Sequence, residues 1–160
     1  MDYNTNRKLR LRFHVDGNTG VARAIMDIRN QISFNLFIRT GYNRQVDDGL
    51  VSHGYAPCNP SHAVRKSLLM SECILFLYKS NLPDRLMKEY KQARKNRKAV
   101  WLIDMDIQPP DEIATIFNQS YCHSYWNNNI TILGPTSSES PDIHQSTLSY
   151  FTQLYRLLNV

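Results

Sequence analysis

The chain has 160 residues, 42% hydrophobic and 21% charged, with a formal net charge of +5 and a pI near 9.2. That length fits a single domain over residues 1–160, able to bury about two-thirds of its unfolded surface, and the balance excludes disordered, collagenous and disulfide-scaffold proteins. No apolar run approaches the roughly 20 residues of a membrane span, and the polar, basic N-terminus has no apolar leader core, so a cytoplasmic protein without a membrane partner is expected.

Leu9, Leu11, Phe13 and Val15 alternate with Arg10, Arg12 and His14, the period of a strand. Asp16-Gly17-Asn18-Thr19-Gly20 then turns the chain, and Val21, Ala24, Ile25, Ile28 and Ile32 place a helix over about 20–32. A second strand is predicted over 34–38. Residues 40–61 hold three glycines and two prolines and form no clear element, the pattern of a functional loop. A short helix is predicted over 63–70 and a buried strand over 73–77. Pro83 opens a helix with Leu86, Met87, Tyr90 and Ala93 on its inner face and a basic run over 88–98 outside. A fourth strand covers 99–103 and a helix 111–118. A fifth strand covers 130–133, and an amphipathic helix closes the chain over 141–158. Strands alternating with helices predict a mainly parallel sheet of five strands with helices on both faces, a three-layer Rossmann-like α/β/α sandwich.

In such sheets ligands bind beyond the carboxyl ends of the strands. Segments 16–20, 78–81, 104–106 and 134–140 therefore carry the candidate site. The small residues Gly17, Asn18, Thr19 and Gly20 admit a ligand to the backbone and open a helix whose amides can meet an anion, with Arg23 one turn inside. Gly134-Pro135-Thr136-Ser137-Ser138-Glu139-Ser140-Pro141 is rich in hydroxyls and also opens a helix, with Ser140 placed to cap and Pro141 as the first helical residue. Neither segment is a Walker A loop or a dinucleotide fingerprint.

Asp16-Gly17-Asn18-Thr19-Gly20-Val21-Ala22-Arg23-Ala24 resembles the GGQTGVDRA signature of the putative molybdenum carrier family, a branch of the SLOG superfamily of Rossmann-like domains. Residues 134–143 are similar to that family's GPRESxxPGI, Asp47-Asp48-Gly49 to its AEDG, and Ser71-Glu72-Cys73-Ile74-Leu75 to its SDATLI strand. The order of motifs holds from about residue 15 to 158. The resemblance implies one Rossmann-like domain that binds a phosphorylated, nucleotide-like or molybdopterin-like ligand. By position, Gly17, Asn18, Thr19, Gly20 and Arg23 would form the phosphate turn, Gly134, Pro135, Thr136 and Ser138 its opposite wall, and Asp48 and Gly49 the loop above. Ser80 and Asn81 would bind by side chain. The chain departs from the family at Asp16 and Thr136, which replace a glycine and an arginine. It also departs at 78–83, where a glycine-rich turn is missing, and it lacks the phosphoribohydrolase PGGxGTxxE motif.

Cys58, Cys73 and Cys122 are odd in number and lack CxxC spacing, so reduced thiols are expected, not disulfides or zinc. His14, His53, His62, His123 and His144 have no metal-ligand spacing, and no catalytic constellation stands out. His14 reads as a structural strand histidine, and Asp104 and Asp106 as capping or solvent-facing carboxylates. A small-molecule binding protein is therefore expected to carry, sense or sequester a nucleotide signal, as a viral counter-defence sponge would. The enzymatic alternative is a nucleotide hydrolase or N-glycosidase with Asp16, Asp48, Asp104 or Glu139 as its carboxylate, and a molybdenum cofactor carrier is the third reading. The basic run reads as a solvated helix face without interleaved aromatics, so nucleic acid is not expected as a partner. The general positive charge is expected to draw in a small anion. A homo-oligomer is expected.

Overall fold

A computed structural model describes residues 11–16, 19–38, 71, 73–121 and 129–158. The predicted helix at 63–70 and the loop at 40–61 lie outside these residues. In chain order the elements are β1 (Arg12–Val15), α1 (Val21–Arg29), β2 (Asn35–Ile38), β3 (Cys73–Tyr78), α2 (Asp84–Lys95), β4 (Ala99–Asp104), α3 (Pro110–Tyr121), β5 (Asn129–Leu133) and α4 (Ile143–Leu157). The five strands form one parallel sheet in the order β2-β1-β5-β3-β4. Phe13 stands opposite Leu36 on one side and Ile130 on the other, and Tyr78 is opposite Asp104. The flanking helices make this a three-layer Rossmann-like α/β fold.

The run Cys73-Ile74-Leu75-Phe76-Leu77 is buried throughout because each face of β3 has its own cover. Cys73, Leu75 and Leu77 join the larger core with α1, α3 and α4, whereas Ile74 and Phe76 pack with Leu86, Ala93 and Leu133 under α2. On the first face Phe13 meets Phe34 and Phe151 edge-on, both at 5.5 Å between ring centroids. Each such pair contributes about 0.5–1.5 kcal/mol beyond the burial of its rings. On the second face Phe76 meets Tyr90 edge-on at 6.0 Å. Cys73 is buried; Cys58 and Cys122 lie outside the described residues.

Several boundaries differ from expectation. α1 ends at Arg29, because Asn30 caps it and the Gln31 and Ile32 amides turn back to the Ile28 carbonyl. Ile32 still packs on the core, which explains its place in the helical pattern. α4 begins at Ile143 and not at Pro141. Residues 141 and 142 form a turn in which the Ile143 amide donates to the Ser140 carbonyl, so Ser140 does not cap the helix. α3 runs on to Tyr121, beyond the predicted 118.

With all strands parallel, every strand end and helix start gathers at one edge of the sheet, and the helix ends gather at the other. Part of the charge follows this division. Asp16, Asp84, Asp104, Asp106, Asp111 and Glu112 lie at the carboxyl edge, while Arg12, Arg29, Lys95, Arg97 and Arg156 lie at the opposite edge. The acidic starts of α2 and α3 and the basic ends of α1, α2 and α4 complement the helix dipoles. No helix among the described residues is long and apolar enough to cross a membrane.

Candidate functional site

The two loops singled out in the sequence close on each other. Gly20 has φ 76° and ψ −121°, a conformation that strongly favours glycine. A β-carbon there would collide with the Pro135 carbonyl oxygen and lie 2.9 Å from Thr136 Cα. Gly134 is equally confined: its β-carbon would lie 2.6 Å from the Leu77 carbonyl oxygen and 2.7 Å from Val21 Cβ. The Val21 amide donates to the Pro135 carbonyl at 3.2 Å, and the Ser137 amide donates to Thr19 Oγ1 at 3.3 Å. The first amide of α1 is thus engaged by the β5 loop. Gly17 and Asn18 lie outside the described residues, as do Asp48 and Gly49.

The β5 loop is held by its own hydroxyls and one carboxylate. Thr136 donates its amide to Glu139 Oε1 at 2.9 Å, Thr136 Oγ1 lies 3.0 Å from Ser138 Oγ, and the Ser140 amide donates to the Thr136 carbonyl. Arg85, in the first turn of α2, grips the same carboxylate. Its Nη2 donates to Glu139 Oε1 at 2.8 Å and to the Gly134 carbonyl at 3.3 Å, and its Nε donates to Oε2 at 3.3 Å. Partial burial pushes the Glu139 carboxyl up, but hydrogen bonds from Arg85 and the Thr136 amide, with the Arg85 charge, outweigh it and hold the group below its usual value. The sequence reading missed Arg85. Its signal was positional: a cation in the first turn opposes the helix dipole and therefore calls for a partner.

The ends of β3 and β4 are tied in the same way. Asp104 is buried, and its Oδ1 accepts from the Ser80 amide at 3.2 Å and the Asp106 amide at 3.0 Å. This holds Ser80 at φ 63°. Ser80 Oγ donates to Asp106 Oδ2 at 3.2 Å, and the Asn81 amide donates to the Lys79 carbonyl at 2.7 Å. Asp104 has the capping role expected of it, and Ser80 is engaged by carboxylates. Asn81 is exposed beside it.

Asp16 is buried at the end of β1. Glu89, one helical turn after Arg85, has its carboxyl pushed up by burial, pulled back by Arg85 and raised again by the charge of Asp16. Asp16, Arg85 and Glu89 therefore form one electrostatic group beside Gly134, of which the sequence reading had only Asp16. Arg23 is exposed and pairs with Asp27 at 3.4 Å; Asp27 also meets His144 Nε2 at 2.8 Å. Lys79 pairs with Asp106 at 3.8 Å. At this edge Arg23, Lys79 and Arg85 all face carboxylates. Among the described residues no group of histidine, cysteine and carboxylate side chains could hold a metal.

His14 is buried in β1, with Nε2 3.0 Å from Asn129 Oδ1 and its ring stacked on Phe37 at 5.0 Å. A cleft of about 420 Å³ opens between the turn after β4 and α4, lined by Asp106, Gln145, Ser149 and Tyr150. Burial, with Glu112 and Asp111 adding to it, pushes the Tyr150 hydroxyl up to about 12, and that hydroxyl donates to the Gln108 carbonyl at 2.7 Å. Of the candidate segments, 104–106 reaches this cleft, through Met105 and Asp106.

The chain is thus an α/β protein with two interlocked turns at the carboxyl edge of a parallel sheet. Its fold is similar to the crystal structure of a putative molybdenum carrier protein from Syntrophus aciditrophicus SB, with a TM-score of 0.73 and 20% sequence identity, covering 94% of this chain and 99% of that one. No family model matches the sequence, and no curated protein matches it.

Proposed function

We propose that the protein binds a nucleotide-derived, phosphate-bearing small molecule at the carboxyl edge of the sheet, carrying, sensing or sequestering it without chemistry. The observation that carries this reading is the closure of the Gly20 turn on Pro135 and Thr136, which brings two glycine-bearing segments beside Asp16, Arg85 and Glu89. Gly20 and Gly134 let the two turns pack closely on each other, a strand-end carboxylate suits ribose hydroxyls, and a guanidinium suits a phosphate. The name of the structural neighbour brings a molybdenum carrier reading to the same edge, where a phosphate-bearing pterin would make similar demands.

Calorimetry against mononucleotides, cyclic nucleotides, ADP-ribose derivatives and molybdopterin is the test. Saturable binding to one class, weakened at least tenfold in Arg85→Ala, supports the reading. Silence across the panel overturns it.

Glu89 favours one second reading, nucleotide or N-glycosidic hydrolysis. A half-buried carboxyl with a raised pKa next to a second carboxylate suits general acid-base work. Glu89 joins Asp16, Asp48, Asp104 and Glu139 as a candidate carboxylate for this reading. Product formation followed by chromatography and abolished by Glu89→Gln would favour hydrolysis over binding alone.

A further inference from the structure

Lys88, Lys91, Arg94 and Lys95 are exposed on α2, and exposed Arg97 follows its end. None of them takes part in an ion pair among the described residues. The helix has two carboxylates of its own: Asp84 stands at its start, and Glu89 is half-buried and feels Arg85 and Asp16. The outer face is therefore of one sign.

A merely solvated helix would alternate charges, because glutamate-lysine pairs at i,i+4 stabilise it and like pairs destabilise it by about 0.2–0.5 kcal/mol each. Here Lys88 and Lys91 are three apart, Lys91 and Lys95 four apart, and Lys91 and Arg94 three apart. The helix end departs from the common pattern too. Arg97 has φ 56° at the position where glycine is favoured, while the Arg97 and Lys98 amides return to the Arg94 and Ala93 carbonyls. The dipole accounts for Arg94 and Lys95 in the last turn but not for Lys88 and Lys91 in the middle.

We infer that this face of α2 docks the phosphate backbone of nucleic acid without reading its sequence. Lys88, Lys91 and Lys95 form one stripe, spanning about 10 Å at 1.5 Å per residue. Arg94 flanks it, with its guanidinium 5.9 Å from the Tyr90 ring and Nη1 donating to the Tyr90 hydroxyl at 3.2 Å. A convex row of cations without a pocket matches a line of phosphates better than the varied side chains of an acidic peptide. An anionic membrane fits less well, since among the described residues the exposed large apolar ones, Phe37, Ile107, Ile116 and Leu157, lie on other elements and none could anchor this helix.

The test is fluorescence anisotropy with a labelled duplex of about 20 base pairs across 50–300 mM KCl. The whole protein is compared with its Lys88→Gln, Lys91→Gln, Lys95→Gln triple variant. Three to five neutralised phosphates give a log-log salt slope of about −2.7 to −4.5, and the triple variant is expected to reduce its magnitude by about 2.7 and weaken binding at least tenfold at low salt. The variant should melt no lower than the wild type, because repulsion is relieved. The proposal is overturned by absence of binding at 50 mM KCl, by equal binding of the variant, or by preference for phosphatidylserine vesicles or an acidic peptide over the duplex.

Discussion

Arg85 holds Glu139 with two nitrogens, Nη2 at 2.8 Å from Oε1 and Nε at 3.3 Å from Oε2, and so ties the start of α2 to the loop after β5. The same guanidinium reaches the Gly134 carbonyl. One side chain therefore sets the distance between two walls of the candidate site.

Arg85→Ala is expected to lower stability by about 1–2 kcal/mol, between the range of exposed pairs and that of hydrogen bonds to charged groups, since both side chains are about a third exposed or less. Arg85→Lys should recover only part of this, because an ammonium cannot reproduce the two-pronged grip. Urea unfolding of the three proteins at neutral pH measures both effects.

The same pair gives a pH dependence. The Glu139 carboxyl lies below its usual value of 4.5 in the folded protein, so its contribution is present above that value and is lost as pH falls through the lower, folded value. The stability gap between wild type and Glu139→Gln is expected to be largest near neutrality and to shrink toward pH 3. Thermal melts of both proteins from pH 7 to pH 3 check this. A gap that stays constant would mean that Arg85 does not act on an ionised Glu139.

Gly20 and Gly134 are where the two turns touch. Gly20→Ala adds a β-carbon that meets the Pro135 carbonyl at a backbone angle alanine rarely adopts. Strain of about 1–3 kcal/mol and overpacking of about 1–3 kcal/mol together give an expected loss of roughly 2–6 kcal/mol. Gly134→Ala should lose about 1–3 kcal/mol, since it meets Val21 and the Leu77 carbonyl without the positive angle. Chemical denaturation distinguishes the two. Equal losses would show that the conformation of Gly20 contributes nothing beyond space.

The parallel sheet was legible because β3 is apolar along its length and because strands and helices alternate, both backbone-scale patterns. Gly20 and Gly134 stood out as glycines next to strand ends, where close packing of neighbouring chain calls for the smallest residue. The boundaries were less so: Ile32 keeps the helical spacing after Asn30 has ended α1, since a turn can deliver a side chain to the same core. Arg85 and Glu89 were missed because their partners are distant in sequence, Glu139 and Asp16, and a single chain shows no pairing across such distances.

Asp104 organises the turn after β3 by accepting the Ser80 and Asp106 amides. Asp104→Ala leaves those two amides without their carboxylate and removes the group that holds Ser80 at φ 63°. A loss of about 1–3 kcal/mol is expected. Hydrogen exchange should show faster exchange at the Ser80 and Asp106 amides, while the α1 amides exchange as before. Uniform acceleration across the sheet would mean that Asp104 supports the fold as a whole instead of this turn.

Glu89 gives the sharpest separation of stability from function. Its carboxyl is raised above 4.5, chiefly by burial, so the fold favours the protonated form: the contribution is fully present below 4.5 and is lost as pH rises through the higher, folded value. At neutral pH the charged carboxylate therefore works against folding. Glu89→Gln, which keeps the shape and removes the charge, is expected to be as stable as the wild type at pH 4 and more stable by a few tenths of a kcal/mol at pH 7.5, allowing for partial solvent exposure. If Glu89 acts on a ligand, the same variant should lose at least tenfold in affinity or turnover while its melting temperature rises. Lower stability at pH 7.5 would show that the carboxylate is a structural partner of Arg85, and the place of Glu89 in the site would fall with it.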